Sequence, residues 1–114
     1  MVAVFIELMA LVSAHTTIIY LDGPAVFTDV YGVQRAAEAS LACTEGHPTL
    51  RIAPDATLST LVHELAHAQD CLDDGMLNGS PGTRPDTRPE GVQSYCWDSD
   101  AEWYACSVVR RASQ

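Results

Sequence analysis

The chain has 114 residues, 47% of them hydrophobic and 18% charged, the balance of a single globular domain with a modest core. Fifteen acidic residues against six arginines and no lysine give a net charge of −9, which argues against a nucleic-acid partner because phosphate neutralisation needs a basic patch. Four cysteines without a Cys-x-x-Cys pair permit two disulfides in any of three pairings and disfavour a structural zinc site built from thiolates.

Residues 1–14 are nearly all apolar, and Val12-Ser13-Ala14 resembles a signal cleavage site. No basic residue precedes the run, Glu7 interrupts it, and it is far too short for a stable membrane span. It reads equally as an apolar leader or as a buried helix or strand, so a secreted or cell-envelope location and a cytoplasmic one both stay open. Thr16-Thr17-Ile18-Ile19-Tyr20-Leu21 is β-branched and aromatic and stops at Asp22-Gly23-Pro24, which predicts a strand and a turn. Residues 30–42 hold Ala36, Ala37, Ala39 and Leu41 between polar residues, which favours a helix with a start weakened by Gly32. Thr49-Leu50-Arg51-Ile52-Ala53 alternates as a half-buried strand and is placed at the sheet edge, where unpaired backbone groups could accept an extended peptide.

A helix follows, with Asp55 or Thr57 as N-cap and Gly75 as the stop. Its Leu58, Leu61, Val62, Leu65 and Ala66 recur at helical spacing and form an apolar stripe. Residues 78–91 are too rich in Pro and Gly for regular structure and predict a loop that lets a last helix fold back, or that covers a site. That last helix opens at Asp98-Ser99-Asp100 and ends near Arg110-Arg111, both ends suiting the helix dipole.

Within the first of these helices stands His63-Glu64-Leu65-Ala66-His67. Positions i and i+4 project from one face about 6 Å apart along the axis, so both imidazoles can reach one ion without leaving a normal rotamer. With Leu58 as zero of the wheel, the apolar stripe spans about 300° to 80°, and His63 and His67 lie at about 140° and 180°. They face away from the core, on a side another segment can cover. Glu64 points beside that ion, where a carboxylate can take a proton from water. Asp70, three residues after His67, is placed either to accept a hydrogen bond from a ligand imidazole or to face solvent.

A catalytic zinc needs a third protein ligand and an open position. His15 and His47 are upstream, and His47 beside Pro48 reads as a loop histidine, either a ligand or proton donor or simply solvated. On the last helix Ala101, Ala105, Val108, Val109 and Ala112 form the apolar stripe. Glu102 lies within about 20° of Val109, whereas Asp100 is about 160° away from Glu102. A carboxylate bordering buried surface needs a positive partner, so Glu102 is the predicted third ligand, with Asp98 or Asp100 as alternatives.

His63-Glu64-x-x-His67 followed by Glu102-Trp103-Tyr104-Ala105 resembles the gluzincin metallopeptidases, and within them most nearly the lethal-factor-type toxin branch. The likeness covers about residues 49 to 109. It implies a zincin-like fold in which His63, His67 and Glu102 bind zinc, Glu64 is the general base, and Tyr95 stabilises the oxyanion; Tyr95 packed as a loop aromatic is the plainer alternative. Cys106 departs from the pattern, in which an acid often follows the alanine. A second alignment sets Asp100-Ala101-x-x-Tyr104-Ala105 on the Glu-Ala-x-x-Phe-Ala pattern of the phage-repressor-cleaving branch. Cys71 and Cys96, near the two ends of the connecting loop, are a candidate disulfide or else free thiols in the core.

The expected fold is therefore α+β, a small sheet with the motif helix packed on it and a C-terminal helix supplying the third ligand. The expected activity is zinc-dependent hydrolysis of peptide bonds in a peptide or protein substrate. The rival is a non-catalytic, zinc-stabilised partner-binding domain, against which Glu64 speaks because a structural site needs no base. A peptidase specific for one partner protein is the third option.

Overall fold

A computed structural model describes residues 1–29, 31–79 and 84–114. The apolar opening segment forms helix α1 (Val2–Val12), which buries Leu8 and Val12, one turn apart, against the rest of the core. A 3-10 turn (Ser13–His15) leads into strand β1 (Thr17–Tyr20). Strands β2 (Ala25–Thr28) and β3 (Gln34–Ala37) make a separate antiparallel ribbon. Strands β4 (Ala39–Thr44) and β5 (His47–Ile52) form a hairpin, and β1 joins its other side to give a mixed sheet in the order β1-β5-β4. Helices α2 (Leu58–Asp74), α3 (Ser94–Trp97) and α4 (Asp100–Ala112) follow. The fold is α+β, a small mixed sheet with helices packed on it. Among the described residues no helix is long and apolar enough to cross a membrane.

Helix α2 lies between the sheet, α1 and α4. Its Val62, Leu65 and Ala66 are fully buried beside Leu50 of β5, while Ala105, Val108 and Ala112 of α4 close the same cluster. Burying Val62 or Leu65 contributes about 1.5–3 kcal/mol each. Thr57 is the N-cap rather than Asp55, its hydroxyl accepting a hydrogen bond from Thr60 N at 3.3 Å. Glu38, at the corner between β3 and β4, accepts from Thr57 N at 2.7 Å and fixes that helix start against the sheet. Gly75 ends α2 in the left-handed conformation, φ 85°, its N–H bonded to the Cys71 carbonyl.

The structure corrects two elements. Residues 31–42 are not helical but form a turn, β3 and most of β4, with Val30 outside the described residues. Alanine's helix propensity is a weak prior that sheet pairing overrides. Asp29 Oδ1 accepts from Tyr31 N and Val33 N and nucleates the turn, and Ala39 is small because it is buried beneath the packed helices. Strand β5 is central, not the edge, so its backbone cannot receive a peptide. Pro48 is compatible with that place because the β1 ladder begins only at Thr49.

The disulfides also differ from the Cys71–Cys96 expectation. Cys71 lies on the sheet side of α2 and bonds to Cys43 of β4, and Cys96 of α3 bonds to Cys106 of α4, with Cα atoms 5.8 Å and 5.7 Å apart. The first bond closes a separation of 28 residues. Replacing Cys43 and Cys71 together by Ala is expected to lower unfolding free energy by roughly 3–4 kcal/mol, the loop-closure term for that span, read from denaturant melts.

Candidate metal centre

Two helices build the site. The apolar stripe of α2 is turned to the sheet, which leaves His63 and His67 facing α4, and α4 places Glu102 across them. Ser99 caps α4 by accepting from Glu102 N at 3.1 Å, so the residue that fixes the helix start also fixes the backbone of the third acid. Glu102 Oε1 is 2.7 Å from His67 Nε2, and Oε2 is 3.2 Å from His63 Nε2. One ligand atom from each of the three residues lies within 4.8 Å of the others, a His-His-Glu group that could hold a metal ion. Bonds of about 2.0–2.1 Å in a tetrahedron separate ligand atoms by about 3.3 Å, so the two Glu102 contacts of 2.7 Å and 3.2 Å bracket that spacing and rotamer adjustment of the side chains would bring the group around such an ion. Two neutral nitrogens and one carboxylate are a donor set suited to zinc.

The electrostatics agree with that geometry. Burial alone would raise the Glu102 carboxyl, but hydrogen bonds from His63 and His67 outweigh it and hold the group at about 2. Burial disfavours a charged His67 ring, yet the hydrogen bond to Glu102 and its charge raise the imidazole above its usual value. Glu64, half-buried beside the triad, is raised by burial and only partly drawn back by the two imidazoles.

Of the other sequence-predicted residues, Tyr95 on α3 is half exposed with its ring centroid 6.4 Å from that of His63. Asp100 pairs with Arg84 at 3.3 Å and Asp98 is exposed, so neither belongs to the group. His47 Nε2 lies 2.7 Å from Thr17 Oγ1, and with His15, Gly46 and Leu72 it lines an open depression of about 480 Å³ that includes none of the triad. Asp70 does neither thing expected of it. It is buried, and its Oδ2 accepts from Gly79 N at 2.8 Å, while His67 Nδ1 is buried without a hydrogen-bond partner among the described residues.

Two features escaped the sequence reading. A Cβ on Gly79 would lie 2.0 Å from the Asp100 carbonyl oxygen, so the backbone there is pressed against the first turn of α4. Cys106 Sγ lies 3.8 Å from His63 Nδ1. Its position four residues after Glu102, on the same helix face, was the available signal. The loop end is also ordered by Arg84, which donates to the Trp97 carbonyl at 2.8 Å, and by Trp97 Nε1, which donates to the Pro85 carbonyl at 2.9 Å. Residues 80–83 of the predicted loop lie outside the described residues.

No family model, curated protein or solved structure matches the chain.

The pKa directions set a pH dependence for protein kept in a chelator. The raised His67 value contributes stability that is complete below 6.5 and lost as pH rises through the folded value. The depressed Glu102 value contributes stability that is complete above 4.5 and lost as pH falls through about 2. Both are complete together only between 4.5 and 6.5, so melting temperature in chelator is expected to peak there and fall toward pH 8.5. In zinc the fall above 6.5 should disappear, because ligation needs unprotonated imidazoles. Thermal melts at pH 5.5 and 8.5 in each condition read the difference.

Proposed function

We propose that the chain is a minimal zinc metallopeptidase of the gluzincin type, with His63, His67 and Glu102 as metal ligands and Glu64 as general base. The observation that carries the reading is the convergence of the two Nε2 atoms of an H-E-x-x-H helix on a carboxylate from a later helix. Zinc held there would polarise a peptide carbonyl and make water a competent nucleophile at neutral pH.

The chain's own groups supply the rest. Glu64, raised by burial toward the working range of a base, takes the proton of the attacking water and hands it to the leaving amine. Tyr95, half exposed on the His63 side of the group, would bring its hydroxyl to a developing oxyanion. Glu102, whose two oxygens face the imidazoles, would bring a negative charge that offsets the cation. Two disulfides suit an oxidising compartment, where the substrate would be an extracellular or envelope peptide.

The test is incubation of the zinc-loaded protein with a library of unstructured peptides, read by mass spectrometry. Cleavage that stops in chelator and returns with zinc supports the enzyme. Zinc binding without cleavage of any peptide supports the zinc-stabilised binding domain or a peptidase specific for one partner protein instead. Absence of zinc binding ends both.

A further inference from the structure

We propose that the Cys96–Cys106 disulfide is a positioning group for the ligand imidazole of His63, a role that rests on the reading of the triad as a metal site. The two nitrogens of that ring are spoken for on opposite sides. Nε2 faces Glu102 Oε2 at 3.2 Å, and Nδ1 faces Cys106 Sγ at 3.8 Å, within hydrogen-bond range of sulfur. Cys106 is 5% exposed and is bonded to Cys96, so its sulfur carries no hydrogen and can only accept.

That restriction bears on the tautomer once Nε2 exchanges its contact with Glu102 for a metal. A neutral imidazole that gives its Nε2 lone pair to a metal must carry its hydrogen on Nδ1, and the Cys106 sulfur is the acceptor that meets it. A free thiol in the same place could donate instead, which would favour hydrogen on Nε2 and block the ligand atom. The disulfide thus selects the ligating form of His63 through an atom on α4, one turn beyond the third ligand itself. His67 has no such aid, since its Nδ1 meets no partner among the described residues. The bond also carries Tyr95, the residue before Cys96, to the His63 side of the group.

The experiment compares zinc affinity, by competition with a chromophoric chelator, in the wild type, Cys96→Ala/Cys106→Ala and Cys96→Ala/Cys106→Asp. Loss of an outer partner of a ligand histidine typically weakens binding 10- to 100-fold, and a sulfur acceptor belongs at the lower end, so the Ala pair is expected to bind about tenfold more weakly. The Asp variant, equally lacking the disulfide but offering Nδ1 an acceptor, is expected to recover most of that loss. Equal affinity in all three, or a loss that Cys106→Asp does not recover, overturns the positioning role and leaves the metal site standing. No zinc binding by the wild type overturns both. Should the double variants not fold, long-range nitrogen–proton NMR of the zinc-loaded wild type decides: a slowly exchanging His63 Nδ1–H with Nε2 metallated supports the proposal, and ligation through Nδ1 or a freely exchanging Nδ1–H overturns it.

Discussion

On the proposed metallopeptidase reading, replacing Glu64 with Gln is expected to lower peptide cleavage by about 10²–10⁴-fold while zinc remains bound. The amide keeps the shape of the carboxylate and cannot take a proton. Glu64 is not a member of the His-His-Glu group, so the ligand set is untouched. The fold should tolerate the change as well. Burial raises the Glu64 carboxyl, which means that its charged form is held at a cost, and a neutral isostere removes that cost. Melting temperature should therefore hold or rise as activity falls, a combination that separates a base from a structural residue. The measurements are single-substrate kinetics, zinc content after gel filtration and a thermal melt on one preparation. A variant that cleaves within about threefold of the wild type removes Glu64 from the mechanism.

The parts of this site that could be read from the sequence are those that depend on local periodicity. A 3.6-residue repeat put His63 and His67 opposite the stripe of α2 and put Glu102, not Asp100, at the border of the stripe of α4. The structure brings those three side chains together. The elements that were misread depend on partners far away in the chain. Ala36, Ala37 and Ala39 look helical by propensity, but β2 and β5 pair with them and α2 packs above. Whether β5 is an edge depends on β1, whose parallel pairing joins Thr17 to Thr49 across the whole intervening ribbon. Cys71 finds Cys43 because β4 lies under α2, a fact settled by tertiary packing and invisible in spacing. Asp70 looked like a second partner for a ligand histidine because only its distance along α2 was available, and the Gly79 amide that it holds arrives from the far end of a turn.

Gly79→Ala is expected to cost at least about 3 kcal/mol of stability and to weaken zinc binding with it. Gly79 has φ +73°, a conformation that costs an L-residue with a Cβ about 1–2 kcal/mol. The new carbon would lie 2.0 Å from Asp100 O, 2.3 Å from Asp100 C and 2.7 Å from Ala101 N. All three are backbone atoms of the first turn of α4, so no side-chain rotation relieves the overlap. Retreat of Gly79 is opposed from the other side, where its N–H is held by the buried Asp70 carboxylate of α2. The strain must then move α4 relative to α2, and Glu102 rides on that first turn two residues after Asp100. A displacement of about 1 Å would take the acid out of bonding geometry with both imidazoles, since zinc bonds tolerate only a few tenths of an ångström. Stability in chelator and zinc affinity should fall together, and added zinc should raise the melting temperature of the variant less than that of the wild type. Gly79→Ala with unchanged zinc affinity would show that the turn and the metal centre are mechanically independent, with α4 held against α2 by its apolar stripe and the hydrogen bond from Tyr104 to Gln69.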